Sequence, residues 1–197
     1  MPFPQGPLAG ASVMFVFIDS LVQRDAEGKP LSPASRRAVA LVSLGKQDGG
    51  DAVRLYVLRI YTTTPGVDPY GVNVAAEIAR TLTVEGPANG GRQRSDAWAV
   101  TLPDGGTLEL DLGYTTGNRN WTPGEAFPHS ASEPEFSRIY RFRQLVDLVA
   151  STPLGKPASG EFSLTGSGPG LSALLDGTEE IVAVMDVPVY VREISLP

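Results

Sequence analysis

The sequence predicts an α+β fold, mainly antiparallel β: a curved sheet or closed β-barrel with one long helix. Three observations predict it. The 197 residues include 22 Gly and 17 Pro, a load of chain-breaking residues that suits many short elements rather than a helix bundle. Runs rich in Val, Ile, Tyr, Phe and Thr are bounded by those residues, as strands are. One stretch, residues 132–152, instead carries a helix-start signature and helical apolar spacing.

The elements follow in order. Residues 12–18 are apolar on both faces and read as a buried strand. Residues 23–33 are polar, contain Gly28, Lys29 and Pro30, and read as a loop. Residues 37–44 form a second strand ended by Gly45, and Gly49-Gly50-Asp51 makes the turn into a third over residues 53–63. Pro65-Gly66 and Pro69-Tyr70-Gly71 break the chain. Asn73 then suits an N-cap, and apolar residues at 74, 78 and 82 predict a short helix over residues 73–82, although 81–85 also suits a strand. Gly86-Pro87 and Gly90-Gly91 end it.

Residues 96–102 and 107–114 flank Pro103-Asp104-Gly105-Gly106. Asp and Gly supply the positive φ of a tight turn, so this is the clearest hairpin. Residues 115–131 form a long polar loop holding Trp121 and His129. Ser132-Glu133-Pro134-Glu135 has capping-box spacing. With apolar residues at 136, 139, 142, 146 and 149 it predicts a helix of about five turns, stopped by Pro153 and Gly155. A strand over 137–143, where Tyr and Phe alternate with Arg, is the competing reading. A short strand at 161–164, a tight loop at 166–170, a helical turn at 171–175 and a long strand at 180–194, bent near Pro188, complete the chain.

Composition narrows the function classes. At this length one domain, residues 1–197, is expected. Net charge is −6, from 22 acidic and 16 basic residues, which speaks against nucleic acid and anionic membranes as partners. Arg92-Gln93-Arg94, beside Gly90-Gly91, reads as a solvated loop. Absence of Cys excludes disulfides, thiolate metal sites and thiol redox chemistry, and suits a cytoplasmic protein. The apolar stretch at 13–18 is too short for a signal or membrane segment. A small-molecule ligand is the expected partner, and a homo-oligomer is compatible with these features.

Catalytic residue types are scarce: one His and three Lys. No cofactor and no metal are expected. Gly166-Ser167-Gly168-Pro169-Gly170 lacks the following helix that a phosphate loop needs, no Walker-type or nucleophile-elbow run exists, and no run has calcium-loop spacing. The candidates are therefore Arg, Tyr, carboxylates and His129. Regular alternation over 53–61 puts Val53, Leu55, Val57, Arg59 and Tyr61 on one face. An inward Arg59 then either binds a carboxylate substrate through its fork or pairs at a rim. Arg80 is a second anion-binding candidate, with Glu77, three residues before it, as its acid/base neighbour or as its partner on a solvated helix face. Tyr114 is the other acid/base candidate. His129, the single imidazole, is either catalytic or a surface-loop residue. Tyr56, Tyr61, Tyr70, Tyr114, Trp121, Tyr140 and Tyr190 either line a cavity or fill a core.

Ala79-Arg80 leading through Gly86 to Pro87, the hairpin at 98–114, and the stretches at 159–164, 171–175 and 180–196 together resemble the acetoacetate decarboxylase superfamily. Its segment Gly-Arg-Glu followed by Gly-x-Pro-Lys is similar to the first of these, and Arg80 matches its Arg. The resemblance implies a closed, cone-shaped antiparallel barrel around a small-molecule pocket. In that family the Lys after the Pro forms a Schiff base with a keto acid. Here Ala88 and Asn89 follow Pro87, so the resemblance implies the pocket without that chemistry. The expected function is a small-molecule pocket protein, a lyase, isomerase or cyclase for a small organic acid or ketone. The alternatives are a lipocalin-like carrier of an apolar ligand and an interaction module.

Overall fold

A computed structural model describes residues 1–87 and 91–197. Its elements are almost entirely strands. In chain order they are β1 (Met14–Ser20), β2 (Arg36–Lys46), β3 (Val53–Thr62), β4 (Asn73–Ala75), β5 (Glu77–Glu85) and β6 (Gln93–Thr101). Then come β7 (Thr107–Thr115), β8 (Asn120–Ala126), β9 (Pro128–Ser130), β10 (Ile139–Ser151), β11 (Gly160–Ser167) and β12 (Ala183–Ser195). The one helical element among the described residues is a 3₁₀ turn at Gly6–Leu8. No helix there is long and apolar enough to cross a membrane.

The strands form three open sheets. The first runs β1-β2-β3-β4, and β9 also pairs with β3. β1, β2 and β3 are an antiparallel meander, whereas β4 and β9 join β3 in parallel. The second is the antiparallel sheet β11-β7-β6-β5, and the third is β12-β10-β8.

β2 lies at the centre. Ala38, Val39, Ala40, Leu41 and Val42 are all buried, so both faces of the first sheet are covered. On one face Val39, Leu41 and Tyr61 pack with Ile78, Trp98, Val100, Leu108 and Leu110 of the second sheet. On the other, Val42 and Val57 pack with Tyr70, Val16, Phe136 and Tyr140.

The pairing of β2 with β3 and the β6–β7 hairpin match the sequence reading. In the hairpin Leu102 donates to the Gly106 carbonyl, Gly105 donates to the Leu102 carbonyl, and Gly105 has φ +83°. Four expectations are overturned. The helix over 73–82 is β4 and β5: Ile78 is buried and Arg80 half-buried, while Glu77, Ala79 and Thr81 between them are exposed, a period of two, and β5 pairs with β6 along its length. The long helix over 132–152 is also absent. The capping-box residues close a turn, in which the Ser130 hydroxyl accepts the Ser132 and Glu133 N–H groups and Phe136 donates to the Glu133 carbonyl. The chain then enters β10, held between β8 and β12, where cross-strand pairing outweighs the local helical spacing. The loop over 115–131 contains β8 and β9. The closed barrel is replaced by open sheets, so there is no barrel mouth to form a pocket. Ala88, the position after Pro87, together with Asn89 and Gly90, lies outside the described residues.

Register irregularities re-aim side chains. Opposite the Leu41–Val42 step, β3 carries Leu58 as an extra residue, because Leu41 faces Arg59 and Val42 faces Val57. Regular alternation is thereby broken: Val57 joins the core on one face of the sheet and Tyr61 that on the other. In β12 the register slips around Val187 and Pro188, where a residue without an N–H costs no ladder bond.

Leu108 is fully buried and Leu82 is 42% exposed. Leu108→Ala is expected to lower unfolding free energy by about 2–5 kcal/mol. Leu82→Ala should stay within about 0.5 kcal/mol. Urea titration of both variants checks this, and equal effects would contradict the placement of the core.

Candidate functional site

Two clusters of ionisable side chains flank the first sheet, and they differ in how their charge is balanced. Their origin is the dipeptide Arg36-Arg37 at the start of β2. Alternation sends the two side chains to opposite faces. Across the β1–β2 pair Arg37 stands opposite Asp19, whereas Arg36 stands opposite Ser20.

On the Arg37 face the charges form a compensated chain. Arg37 Nε is 3.4 Å from Asp19 Oδ1, and Arg80 Nη1 is 3.4 Å from Asp19 Oδ2. Arg80 grips Asp96 with both arms of its fork, Nε to Oδ1 at 2.8 Å and Nη2 to Oδ2 at 2.6 Å. It also lies over the Trp98 ring, 4.8 Å from the centroid. Arg94, beside Asp96, donates to Asp186 Oδ2 at 2.9 Å, and Arg119 Nη2 is 3.6 Å from the same oxygen. Tyr114 and Asp186 lie near enough to shift one another's proton affinity, and Asp186 stands opposite Asp147 in the β10–β12 ladder. Asp147 Oδ2 accepts the Gly117 N–H at 2.6 Å, while its Oδ1 is buried without a partner.

The environment raises all three pKa values, which favours the charged form of Arg80 and the neutral forms of Asp186 and Tyr114. The hydrogen bond to Asp96 raises the Arg80 pKa against the cost of its burial. Burial raises Asp186 above the ordinary carboxylate value, and Asp147 adds to that, while Arg94, Tyr114 and Arg119 pull it down. Burial, then the Asp186 charge, raises the Tyr114 phenol.

On the Arg36 face the cations lack counter-ions. Arg138 lies over the Tyr70 ring at 6.0 Å, and Arg192 lies 4.4 Å from the Tyr140 centroid and 5.8 Å from that of Tyr190. The Tyr70 and Tyr140 hydroxyls are 2.6 Å apart. Burial and then repulsion from Arg192 lower the Arg36 pKa; Arg138 adds to this, and only Tyr140 opposes it. Nε of Arg36 and Nε of Arg138 are buried with no hydrogen-bond partner. Among the described residues no Asp or Glu forms an ion pair with Arg36, Arg138 or Arg192.

The sequence candidates divide between these places and the surface. Arg80 and Tyr114 both belong to the compensated chain. Glu77 is exposed on the opposite side of β5 from Arg80, since residues three apart on a strand face apart. Arg59 is exposed, with Nη1 reaching the Gly170 turn. His129 lies on β9, its Nδ1 3.1 Å from the Pro134 carbonyl and its ring 5.9 Å from Tyr56. Arg94, expected in a solvated loop, is buried in β6. Arg36, Arg138 and Arg192 were not singled out. Their signal is faint but present: Arg36-Arg37 faces Ser20 and Asp19 across a strand pair, leaving one cation without an acid.

Among the described residues no three His, Asp or Glu side chains come together to hold a metal ion. A hollow of about 340 Å³, bordered by Ser151, Lys156, Phe162 and Val182, lies away from both clusters. No protein-family model, curated protein or solved structure matches the chain.

The Asp96 side chain is 9% exposed and that of its partner Arg80 18%. Asp96→Asn should cost about 3 kcal/mol or more, because Arg80 and Arg94 lose a buried counter-charge. Asp51→Asn, at a surface pair whose carboxylate is open to solvent, should change stability by less than about 0.5 kcal/mol. Denaturant midpoints of the two variants test the contrast.

Asp186 titrates above its ordinary value in the folded state, so over that interval the folded chain holds more protons than the unfolded one. Its contribution is fully present below the ordinary value of 3.8 and falls as pH rises through the raised value. Asp186→Asn removes that fall. Stability measured against pH across this acidic window should therefore slope more positively in the variant than in the parent, and identical slopes would refute the assignment.

Proposed function

We propose that the protein binds a small organic acid, as its anion, at the Arg36–Arg138–Arg192 cluster. The observation that carries this reading is the gathering of these arginines around the Tyr70–Tyr140 hydroxyl pair without a carboxylate. A buried guanidinium normally sits against an acid, as Arg80 and Arg94 do in this protein. Where the acid is not part of the chain, a ligand can supply it.

The donor chemistry supports the reading. A guanidinium presents its N–H groups in a plane that matches a carboxylate. Arg36 Nε and Arg138 Nε have no partner in the protein. Burial, followed by the Tyr140 contact, raises the Tyr70 phenol, which therefore keeps its proton at neutral pH. Whichever hydroxyl donates within the Tyr70–Tyr140 pair, the other keeps an O–H to offer. Tyr70 is held in place, since its carbonyl accepts the Ser130 and Ser132 hydroxyls at 2.5 and 2.7 Å and its ring meets Phe136 edge-on.

The reading keeps the substrate class expected from the sequence and moves the binding residues from Arg59 and Arg80 to the opposite face of the first sheet. It is a binding function and calls on no Schiff base. Its setting is the cytoplasm, where small organic acids are plentiful.

Without ligand the cluster should be a local liability. Arg36→Gln removes a buried, repelled charge and is expected to raise the stability of the free protein by roughly 1 kcal/mol. The parent should melt higher in acetate, pyruvate or succinate than in chloride at equal ionic strength. Arg36→Gln should lose most of that gain. Equal melting of the parent in chloride and in all carboxylates would overturn the proposal.

A further inference from the structure

We infer that the preferred ligand of the arginine–tyrosine cluster is a compact dianion, a dicarboxylate or a phosphate, rather than a monocarboxylate; this rests on the anion-binding reading above. Arg138 and Arg192 act on both Arg36 and Tyr70, no carboxylate is among the main groups that do, and among the described residues none forms an ion pair with these arginines. Glu193, next to Arg192 in sequence, points to the other face of its strand and stands opposite Arg141. A monoanion would leave two of these positive charges facing each other in a half-buried place. A dianion leaves one.

The donors are also numerous and come from separate elements. Arg36 comes from the start of β2, Arg138 from the segment entering β10, and Arg192 from β12. Their donors include the Nη arms of the three guanidiniums and the second phenol hydrogen. Because the cations approach from different elements, a single planar carboxylate cannot offer an oxygen pair to every fork. A tetrahedral phosphate, or two carboxylates on a short chain, presents more oxygens in divergent directions.

The compensated cluster provides the internal comparison. There Asp19, Asp96 and Asp186 are interleaved with Arg37, Arg80, Arg94 and Arg119, so each carboxylate contacts at least two cations. Two negative charges among three guanidiniums would give the Arg36 face a similar ratio.

The experiment is calorimetric titration of the full chain with acetate, succinate and inorganic phosphate at constant ionic strength. It is run at mildly alkaline pH, where phosphate carries two charges. Succinate or phosphate is expected to bind roughly tenfold or more tightly than acetate, and whichever is tighter identifies the source of the charge. Phosphate affinity should also rise with pH as its second proton leaves, while succinate affinity stays level. Arg192→Gln and, independently, Arg138→Gln should remove most of the preference, and Arg192→Lys should retain part of it. Equal affinity for acetate and the dianions overturns the dianion inference and leaves the anion-binding reading standing. No binding by any of the three overturns both, as does dianion binding that survives the arginine variants.

Discussion

The structure is organised by the burial of strand β2 on both of its faces. Ala38 to Val42 leave no side of the first sheet open to water. One face packs on the second sheet through Val39, Leu41 and Tyr61, and the other on Tyr70, Phe136 and Tyr140. A strand in that position must be apolar throughout, and this one is over its middle. Small residues at 38 and 40 let neighbouring layers approach, while Val39 and Leu41 fill the opposite side. Every other placement follows: the hairpin β6–β7 covers one face, and the turn before β10 delivers Phe136 and Tyr140 to the other.

The charges obey the same constraint. Where β2 leaves the apolar layer, at Arg36-Arg37, each face must accept a guanidinium. On one side β1 supplies Asp19, and the chain continues through Arg80, Asp96, Arg94 and Asp186. Buried ion pairs of this kind gain little net stability but become costly when one member is lost. They therefore fix register more than they add strength, and Arg80 locked to Asp96 holds β5 against β6 in one alignment. On the other side β1 supplies Ser20, too short and uncharged to balance Arg36.

Much of the architecture was legible wherever turn chemistry and alternation agreed. Pro103-Asp104-Gly105-Gly106 specified its hairpin because local φ requirements settle that geometry. The segment at 132–152 was misread because its capping-box spacing is real, but Ser130 captures those N–H groups for a turn. Its apolar spacing fits a helix only when Tyr140, Leu145 and Leu148 are disregarded. Whether such a run pairs as a strand depends on β8 and β12, one nearby and the other some forty residues away, which local pattern does not report. The grouping of Arg59 and Tyr61 with Leu55 and Val57 on one face failed for a similar reason, since the extra residue at Leu58 is a property of the strand pair. Arg80 and Tyr114 were picked out as chemistry-bearing, and they do lie in a charged interior. Their acids, Asp96 and Asp186, are distant in sequence, so nothing local marked their forks and hydroxyls as already engaged.

The uncompensated arginines are harder to explain as structure than as function. Arg36 is repelled by Arg138 and Arg192, and its Nε forgoes a hydrogen bond, so the free protein is less stable than it would be with neutral side chains there. The same fold shows that a remedy is within easy reach, because an acid at position 20 would stand opposite Arg36 as Asp19 stands opposite Arg37. Aromatic faces soften the cost: Arg192 rests on Tyr140 and Arg138 near Tyr70, where the ring quadrupole favours a cation without neutralising it. Such a site keeps its charge available to a third party. An anion that enters it gains from all three guanidiniums at once, and because they belong to the first sheet, the third sheet and the turn between, it also ties those elements together.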